Sequence, residues 1–230
     1  MRMRRKANLD ARLKGCQDTG RLIVLDCEDR NFVTSIEKKE YLELEGLFGN
    51  DRPIVMEIGC GKGQFACELA KRNPGINVLA VEKTSNVIVD AAEKAIAMGI
   101  ENLYLLRCDA AYLSKFIPPD SVSRLYLNFS CPFPKKSYAS HRLTHRSFLE
   151  IYKELLKDGA ELHQKTDDRK LFEFSVEELS YSGFRLKNIS LDLHADSPED
   201  NIMTEYEKRF VDMGLPIYRL EAVYSRELSV

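Results

Sequence analysis

Glu57, Gly59, Gly61 and Gly63 occupy alternate positions at the end of an apolar run, in the order Ile54-Val55-Met56-Glu57-Ile58-Gly59-Cys60-Gly61-Lys62-Gly63. An acid closing a buried strand, followed by glycines at every second residue, predicts a tight turn that opens a helix. Glycine tolerates positive φ, and without a Cβ it lets a ligand lie against bare backbone. Where such a turn heads a series of strands and helices, a nucleoside-containing cofactor sits over it. The spacing is not that of the dinucleotide fingerprint Gly-x-Gly-x-x-Gly. Two more acids suit the same ligand. Glu82 closes the run Val78-Leu79-Ala80-Val81, about 20 residues past the glycines, where a carboxylate accepts from a ribose diol. Asp109 follows the run Leu103-Tyr104-Leu105-Leu106-Arg107 and Cys108. It accepts from an adenine amino group or caps the helix behind it.

A second group of residues suits an acceptor. The apolar segment ending at Asn128-Phe129 breaks into Ser130-Cys131-Pro132-Phe133-Pro134-Lys135-Lys136. Two prolines stiffen that loop. Phe133 offers a stacking face, and the lysines behind it suit the phosphates of a bound nucleotide. Asp167, after Lys165-Thr166, has the acceptors for the N1–H and amino group of guanine, or else caps the next helix. Glu207 also matches the two donors of a guanine Watson–Crick edge. Thr204 with Glu207 three residues on is at the same time the pattern of a capping box, and both readings stand together. Formal net charge is −2, so global charge points to no nucleic acid. Local charge does: the arm Arg2 to Lys6 and the cluster Lys135, Lys136, His141, Arg142, His145 and Arg146 are basic patches able to bind phosphates.

These residues need a frame that sets strand ends side by side. Apolar runs predict strands near 54–58, 77–81, 103–107, 123–128, 160–165, 185–190 and 217–223. Helical patterns fall near 36–47, 63–72, 85–98, 110–115, 144–157 and 168–181. That alternation predicts a doubly wound α/β fold with a mostly parallel, seven-stranded sheet and an antiparallel C-terminal edge. The 230 residues suffice for one such domain. It is expected over 31–230, behind a basic and flexible extension at 1–30. No apolar stretch reaches the 18 or more residues of a membrane span, and no apolar segment follows the basic start as in a secretory signal. A cytoplasmic protein without a membrane partner is expected. The six cysteines, at 16, 27, 60, 67, 108 and 131, form no C-x-x-C pair. They read as reduced thiols rather than a disulfide frame or a metal site.

The E-x-G-x-G-x-G turn is similar to the one that holds S-adenosylmethionine in class I methyltransferases. The chain as a whole resembles the bacterial tRNA (guanine-N7-)-methyltransferase family. The matching residues are Glu57 to Gly63, Glu82, Asp109, Asn128-Phe129-Ser130, Pro132, Pro134-Lys135-Lys136, Lys165-Thr166-Asp167 and Thr204-Glu205-Tyr206-Glu207. The resemblance implies a Rossmann-like fold, S-adenosylmethionine as donor, tRNA as partner, and methylation at N7 of a variable-loop guanosine. It implies that Glu57, Gly59, Gly61, Gly63, Glu82 and Asp109 hold the donor, together with position 131. Lys135, Asp167, Thr204, Glu205, Tyr206 and Glu207 then contact the target nucleotide. Ser137, Tyr138, Ala139, Ser140, His141 and Arg142 face the RNA. A monomer or a homodimer is expected.

Three departures bear on that expectation. Cys131 stands where the family has an Asp at the catalytic position, Phe133 where it has Trp, and Ser137-Tyr138-Ala139-Ser140 where it has a basic run. A neutral thiol does not supply the Asp charge. Guanine N7, however, carries a lone pair and no proton to remove, so methyl transfer proceeds by alignment without an obligatory base. Loss of one electrostatic contact costs roughly 10²–10³ in rate, so a weakened enzyme is expected more than a dead one. A catalytically silent tRNA-binding relative is the alternative that loss of the Asp favours. A small-molecule class I methyltransferase is a further one, opposed by Lys135, Lys136 and the basic arm.

Overall fold

Short apolar runs with no polar alternation are stable as strands only when both faces are covered, and parallel sheets meet that condition. The computed structural model describes residues 4–25, 27, 37–196 and 201–228, in two units, Met1–Phe116 and Ile117–Val230. In the first unit four parallel strands lie in the order β1-β4-β3-β2: β1 (Leu22–Val24), β2 (Ile54–Ile58), β3 (Asn77–Glu82) and β4 (Leu103–Arg107). All five residues of β2 are buried, as are the first five of β3. The helices in chain order are α1 (Leu9–Asp18), α2 (Leu44–Phe48), α3 (Gln64–Arg72), α4 (Ser85–Ala97) and α5 (Leu113–Phe116). α4 buries Ile88, Val89, Ala91, Ala92 and Ala95, a stripe at helical spacing that faces the core.

The register Glu57↔Ala80 and Glu82↔Arg107 sets the carboxyl ends of β2, β3 and β4 side by side. Three acid-bearing strand ends thereby open in one direction, the arrangement in which α/β sheets bind ligands.

One strand beyond the expected seven is present among the described residues. β1 is three residues long and carries no period of its own; it exists because it pairs with β4, Leu22↔Leu105. The stretch before it is also structured. Arg12 of α1 donates from Nε to Glu93 at 2.7 Å and from Nη2 to Asp90 at 3.0 Å, both on α4. Asn86 fixes the backbone on either side of residue 5, accepting from the Lys6 N–H at 3.0 Å and donating to the Arg4 carbonyl at 2.9 Å. Arg2 and the boundary expected at residue 30 lie outside the described residues, as does residue 36 of the helix expected at 36–47. Of that range Glu37 and the residues of α2 are helical, and 38–43 between them are not. The Glu40 and Leu42 N–H groups donate to the Lys115 and Phe116 carbonyls, each at 2.8 Å, so this backbone is paired with the end of α5 rather than with its own turn.

The second unit has the order β5-β6-β8-β7, from β5 (Val122–Asn128), β6 (Leu156–Thr166), β7 (Arg185–Ser190) and β8 (Tyr218–Val223). β5 and β6 are parallel; β8 is antiparallel to both β6 and β7. The expected antiparallel edge is therefore present. β6 begins four residues before the strand expected at 160–165 and runs through Gly159, whose φ of 77° suits glycine. Helices α6 (Arg146–Leu155), α7 (Arg169–Tyr181), α8 (Leu193–Asp196) and α9 (Glu205–Val211) complete the unit. Leu125, Leu127, Leu149, Tyr152, Leu162 and Leu179 form its fully buried core.

Candidate donor and nucleotide sites

The glycine turn after β2 is built as its spacing predicts. Gly59, Gly61 and Gly63 have φ of 80°, 58° and 74°. The Gly59 and Cys60 N–H groups donate to the Val81 carbonyl at 2.8 and 3.0 Å, which ties the turn to β3. The glycines are not equivalent. A Cβ on Gly63 would lie 2.7 Å from the Ala91 Cβ, so this glycine lets α3 close on α4. A Cβ on Gly61 would meet nothing within 4 Å, so this one leaves open space over the turn. Glu57 is buried on β2. Glu82, half-buried at the end of β3, accepts the Thr84 N–H on Oε1 at 2.8 Å. Asp109 accepts the Ala111 N–H on Oδ1 at 3.1 Å, so it does cap the turn behind it. Its Oδ2 lies 3.4 Å from the Lys83 ammonium. Six of the seven residues expected to hold a donor are thus gathered at the ends of β2, β3 and β4; the seventh, Cys131, belongs to the second unit.

In the second unit the helix cap for which the sequence offered Asp167 falls to its neighbour. Asp168 caps α7, accepting the Leu171 N–H at 2.7 Å. Asp167 is released from capping. Burial raises its carboxyl above the usual range, and the neighbouring Asp168 charge adds to the rise. Tyr206 is half exposed, and its ring packs 5.3 Å from Phe129 and 5.0 Å from Phe210. Burial, the charge of Asp167 and the proximity of Cys131 all push the Tyr206 hydroxyl up, with Arg209 opposing. Cys131, Asp167 and Tyr206 therefore share one patch. Phe129 enters it in the left-handed region, φ 50°, with its N–H donating to the Lys165 carbonyl at 2.8 Å. Such a conformation in a bulky residue costs roughly 1 kcal/mol or more and is kept where surrounding structure dictates it.

Glu207 is 0% exposed. The capping box is present: the Thr204 hydroxyl accepts the Glu207 N–H at 2.9 Å, and Glu207 Oε2 accepts the Thr204 N–H at 3.3 Å. Oε2 also accepts from the Lys165 ammonium at 2.6 Å. Oε1 accepts from Asn201 Nδ2 at 2.8 Å and lies 3.0 Å from His194 Nε2. Lys165 has two further acceptors, Asn201 Oδ1 at 3.0 Å and the Ile202 carbonyl at 2.9 Å. Both carboxylate oxygens of Glu207 are thus engaged inside the protein. Lys165, His194 and Asn201 were not expected as site residues; Lys165 and Asn201 fall in or beside the motifs around Asp167 and Thr204, and His194 carries no such signal. The side chain of Glu205 lies outside the described set.

Lys135 and Lys136 are exposed, and a 3-10 helix spans Lys136–His141. Ser137, Tyr138, Ser140 and His141 face solvent, and Ala139 is half-buried. The rings of Phe133, His141 and Tyr138 follow one another at 5.6 and 5.8 Å. Arg142 has a different task from its neighbours. Its guanidinium donates to the Pro132 and Phe133 carbonyls, each at 3.0 Å, and stacks 4.4 Å above the Phe174 ring. It braces the loop in which Phe133 holds φ 41°. Arg146 is likewise committed, to Glu178 of α7 at 2.7 Å.

Glu161, His163 and Glu221 bring one possible metal-ligand atom each to within 4.8 Å of one another. Cations of the protein already surround them: Arg124 and Lys187 pair with Glu161, and Arg219 with Glu221. Burial alone would raise Glu161, but hydrogen bonds from Lys187 and His163 outweigh it and hold the carboxyl at about 2.

Residues 51–220 match a protein-family model described as "Putative methyltransferase". A tRNA (guanine-N(7)-)-methyltransferase of Lysinibacillus sphaericus (strain C3-41) is 50% identical over 79% of this chain and 85% of that protein. One of Bacillus cytotoxicus is 48% identical over 79% and 83%. Among solved structures, the 16S rRNA methyltransferase KamB aligns with a TM-score of 0.57 at 16% identity, over 87% of this chain and 95% of that one. A SAM-dependent methyltransferase from Aquifex aeolicus aligns at 0.53 and 14%, over 85% and 99%. The structural likeness shows the class I methyltransferase fold; the sequence identity, over most of both chains, shows that this chain belongs to the tRNA (guanine-N7-)-methyltransferase family.

Proposed function

We propose that this protein transfers the methyl group of S-adenosylmethionine to N7 of a guanosine in the variable loop of tRNA. The observation that carries the reading is an open glycine turn among acids at three adjacent strand ends, in a chain that over 79% of its length is 50% identical to a protein named tRNA (guanine-N(7)-)-methyltransferase.

The residues fit the donor. Gly61 leaves room for it against bare backbone. Glu82 keeps Oε2 for a ribose hydroxyl, because the Thr84 N–H occupies Oε1. Asp109 accepts from the adenine amino group while it caps the next turn. Glu57 places a carboxylate beneath the turn. S-adenosylmethionine supplies an electron-poor methyl group on a sulfonium.

The acceptor needs orientation rather than deprotonation, since N7 offers a lone pair directly. Asp167, free of capping duty, accepts from the guanine N1–H and amino group. Phe129 and Tyr206 supply apolar faces for the base. Lys135 binds a phosphate. Glu207 acts as a positioning residue: buried and fully engaged, it holds Thr204 to Tyr206 in place through Lys165 and the capping box. The rings of Phe133, Tyr138 and His141 stack with unpaired RNA bases, and Arg142 keeps that loop in shape. Cys131 adjoins the patch without a fixed charge. Transfer then runs by alignment at a reduced rate, and Cys131→Asp raises it.

The test is methyl transfer from labelled S-adenosylmethionine to a tRNA transcript with guanosine in the variable loop, beside one with adenosine there. Label on the first alone supports the reading. Equal label on both moves the target elsewhere in the tRNA. Tight tRNA binding with no label, and activity gained by Cys131→Asp, makes the natural chain a silent relative.

A further inference from the structure

Cys27 and Cys108 are separated by 81 positions, yet their sulfurs lie 3.3 Å apart. The pairing of β1 with β4, Val24↔Arg107, carries the residues just past each strand alongside one another. Cys108 is buried, and its Sγ lies 3.2 Å from the Asp109 carbonyl oxygen, to which the thiol donates. Cys27 is half-buried, so a small solute reaches one member of the pair more readily than the other. A buried free cysteine is ordinarily a small hydrophobe, but two sulfurs in contact at the edge of a ligand site can do more.

We propose that Cys27 and Cys108 are a peroxide-sensitive thiol pair that closes to a disulfide beside Asp109, and that closure loosens the hold on the methyl donor. The second clause rests on the role given to Asp109 under Proposed function; the first does not.

The two sulfurs are suited to different parts. When Cys27 is a thiolate, the single Cys108 proton turns to it from the Asp109 carbonyl, and that hydrogen bond brings the Cys27 thiol down to about 7, with burial opposing. Donation to Cys27, together with burial, pushes Cys108 up. Cys27 therefore supplies the thiolate, which is the nucleophilic form, and Cys108 keeps its proton. The Cys27 thiolate attacks one oxygen of hydrogen peroxide. The S–O bond forms, the O–O bond breaks, and the departing hydroxide takes up a proton as water. The Cys108 sulfur then attacks the Cys27 sulfenic acid: the S–S bond forms, the S–O bond breaks, and the oxygen leaves as water with the Cys108 proton. Two thiols and one peroxide thus give one disulfide and two waters.

Closure draws the sulfurs together by about 1 Å and removes the S–H that donates to the Asp109 carbonyl. Asp109 is the next residue along the chain, and its carboxylate anchors the Ala111 N–H. The corner that presents it moves with Cys108.

The experiment exposes the reduced full chain to a slight excess of hydrogen peroxide. Free thiols are then blocked with N-ethylmaleimide, and the digest is read by mass spectrometry. A peptide linking Cys27 to Cys108 is expected, absent in Cys27→Ser and lost on treatment with dithiothreitol. Calorimetric binding of S-adenosylmethionine follows on the same samples. Reduced wild type and Cys27→Ser bind alike, oxidised wild type binds roughly 3–10-fold more weakly, and peroxide leaves Cys27→Ser unchanged. If both Cys27 and Cys108 remain open to N-ethylmaleimide while the exposed Cys131 oxidises, the pair is packing and the proposal is overturned. A disulfide without a change in donor affinity overturns the coupling. No donor binding by the reduced protein would instead sink the donor reading, and the cross-link would still decide the pair.

Discussion

Replacing Glu207 by Gln separates a residue that reads the guanine from one that holds the reader. The substitution keeps the shape of the side chain and changes one acceptor oxygen into a donor. Four donor groups converge on this carboxylate: the Lys165 ammonium, the Thr204 N–H, Asn201 Nδ2 and His194 Nε2. An amide cannot accept from all of them, and it leaves the buried Lys165 charge without its ion-pair partner. Breaking a buried pair from one side costs about 3–5 kcal/mol. Asn201 Oδ1 and the Ile202 carbonyl still accept from Lys165, which places the expected loss near the lower bound, about 3 kcal/mol. For a chain of this size that lowers the melting temperature by roughly 6–12 °C. The pair must also be coupled: Lys165→Met with Glu207→Gln costs less than the two separately, by about 1 kcal/mol or more. Urea titration of the four proteins measures this. At a temperature where Glu207→Gln is folded, KM for tRNA rises while S-adenosylmethionine still binds. Full stability in Glu207→Gln, with additive single variants and abolished transfer, would refute the buried strut and return Glu207 to direct contact with the base.

Four more outcomes follow from the same geometry. Gly61→Ala, which meets open space at φ 58°, costs about 1 kcal/mol in stability but weakens donor binding more than tenfold; binding calorimetry checks it. Gly63→Ala forces a Cβ to 2.7 Å from Ala91, so its loss falls on stability instead, about 2–4 kcal/mol by urea titration. Arg142→Lys keeps the charge but cannot brace both the Pro132 and Phe133 carbonyls, so KM for tRNA rises severalfold although the salt dependence of binding hardly changes. Glu161 sits below its unfolded value of 4.5 at about 2. Its share of stability is complete above pH 4.5 and is lost as the pH falls from 4.5 through 2, a slope in the acid unfolding curve that Glu161→Gln flattens.

The strands around the glycine turn were legible because each is an uninterrupted apolar run, and a parallel sheet covers both faces of such runs. The elements before them were not. α1 buries Leu9 and Cys16 and owes its place to Arg12, whose partners Asp90 and Glu93 lie far along the chain. β1 is too short to show a period. At the patch around Asp167 and Tyr206, residue types were legible and their duties only in part. Thr204 and Glu207 declared the capping box, but burial of Glu207 depends on Lys165, 42 positions away. Adjacent acids at 167 and 168 are indistinguishable as types; the strand end decides which one reaches the α7 amides. Arg142 reads as a cation for RNA, and its bonds to the Pro132 and Phe133 carbonyls leave no mark in the sequence.

The most direct test of the central claim is nucleoside analysis of unmodified tRNA after incubation with this protein and S-adenosylmethionine. 7-Methylguanosine is expected as the new modified nucleoside, formed at least tenfold faster by Cys131→Asp. Methylation at any other atom, or no product from either protein, would contradict that claim.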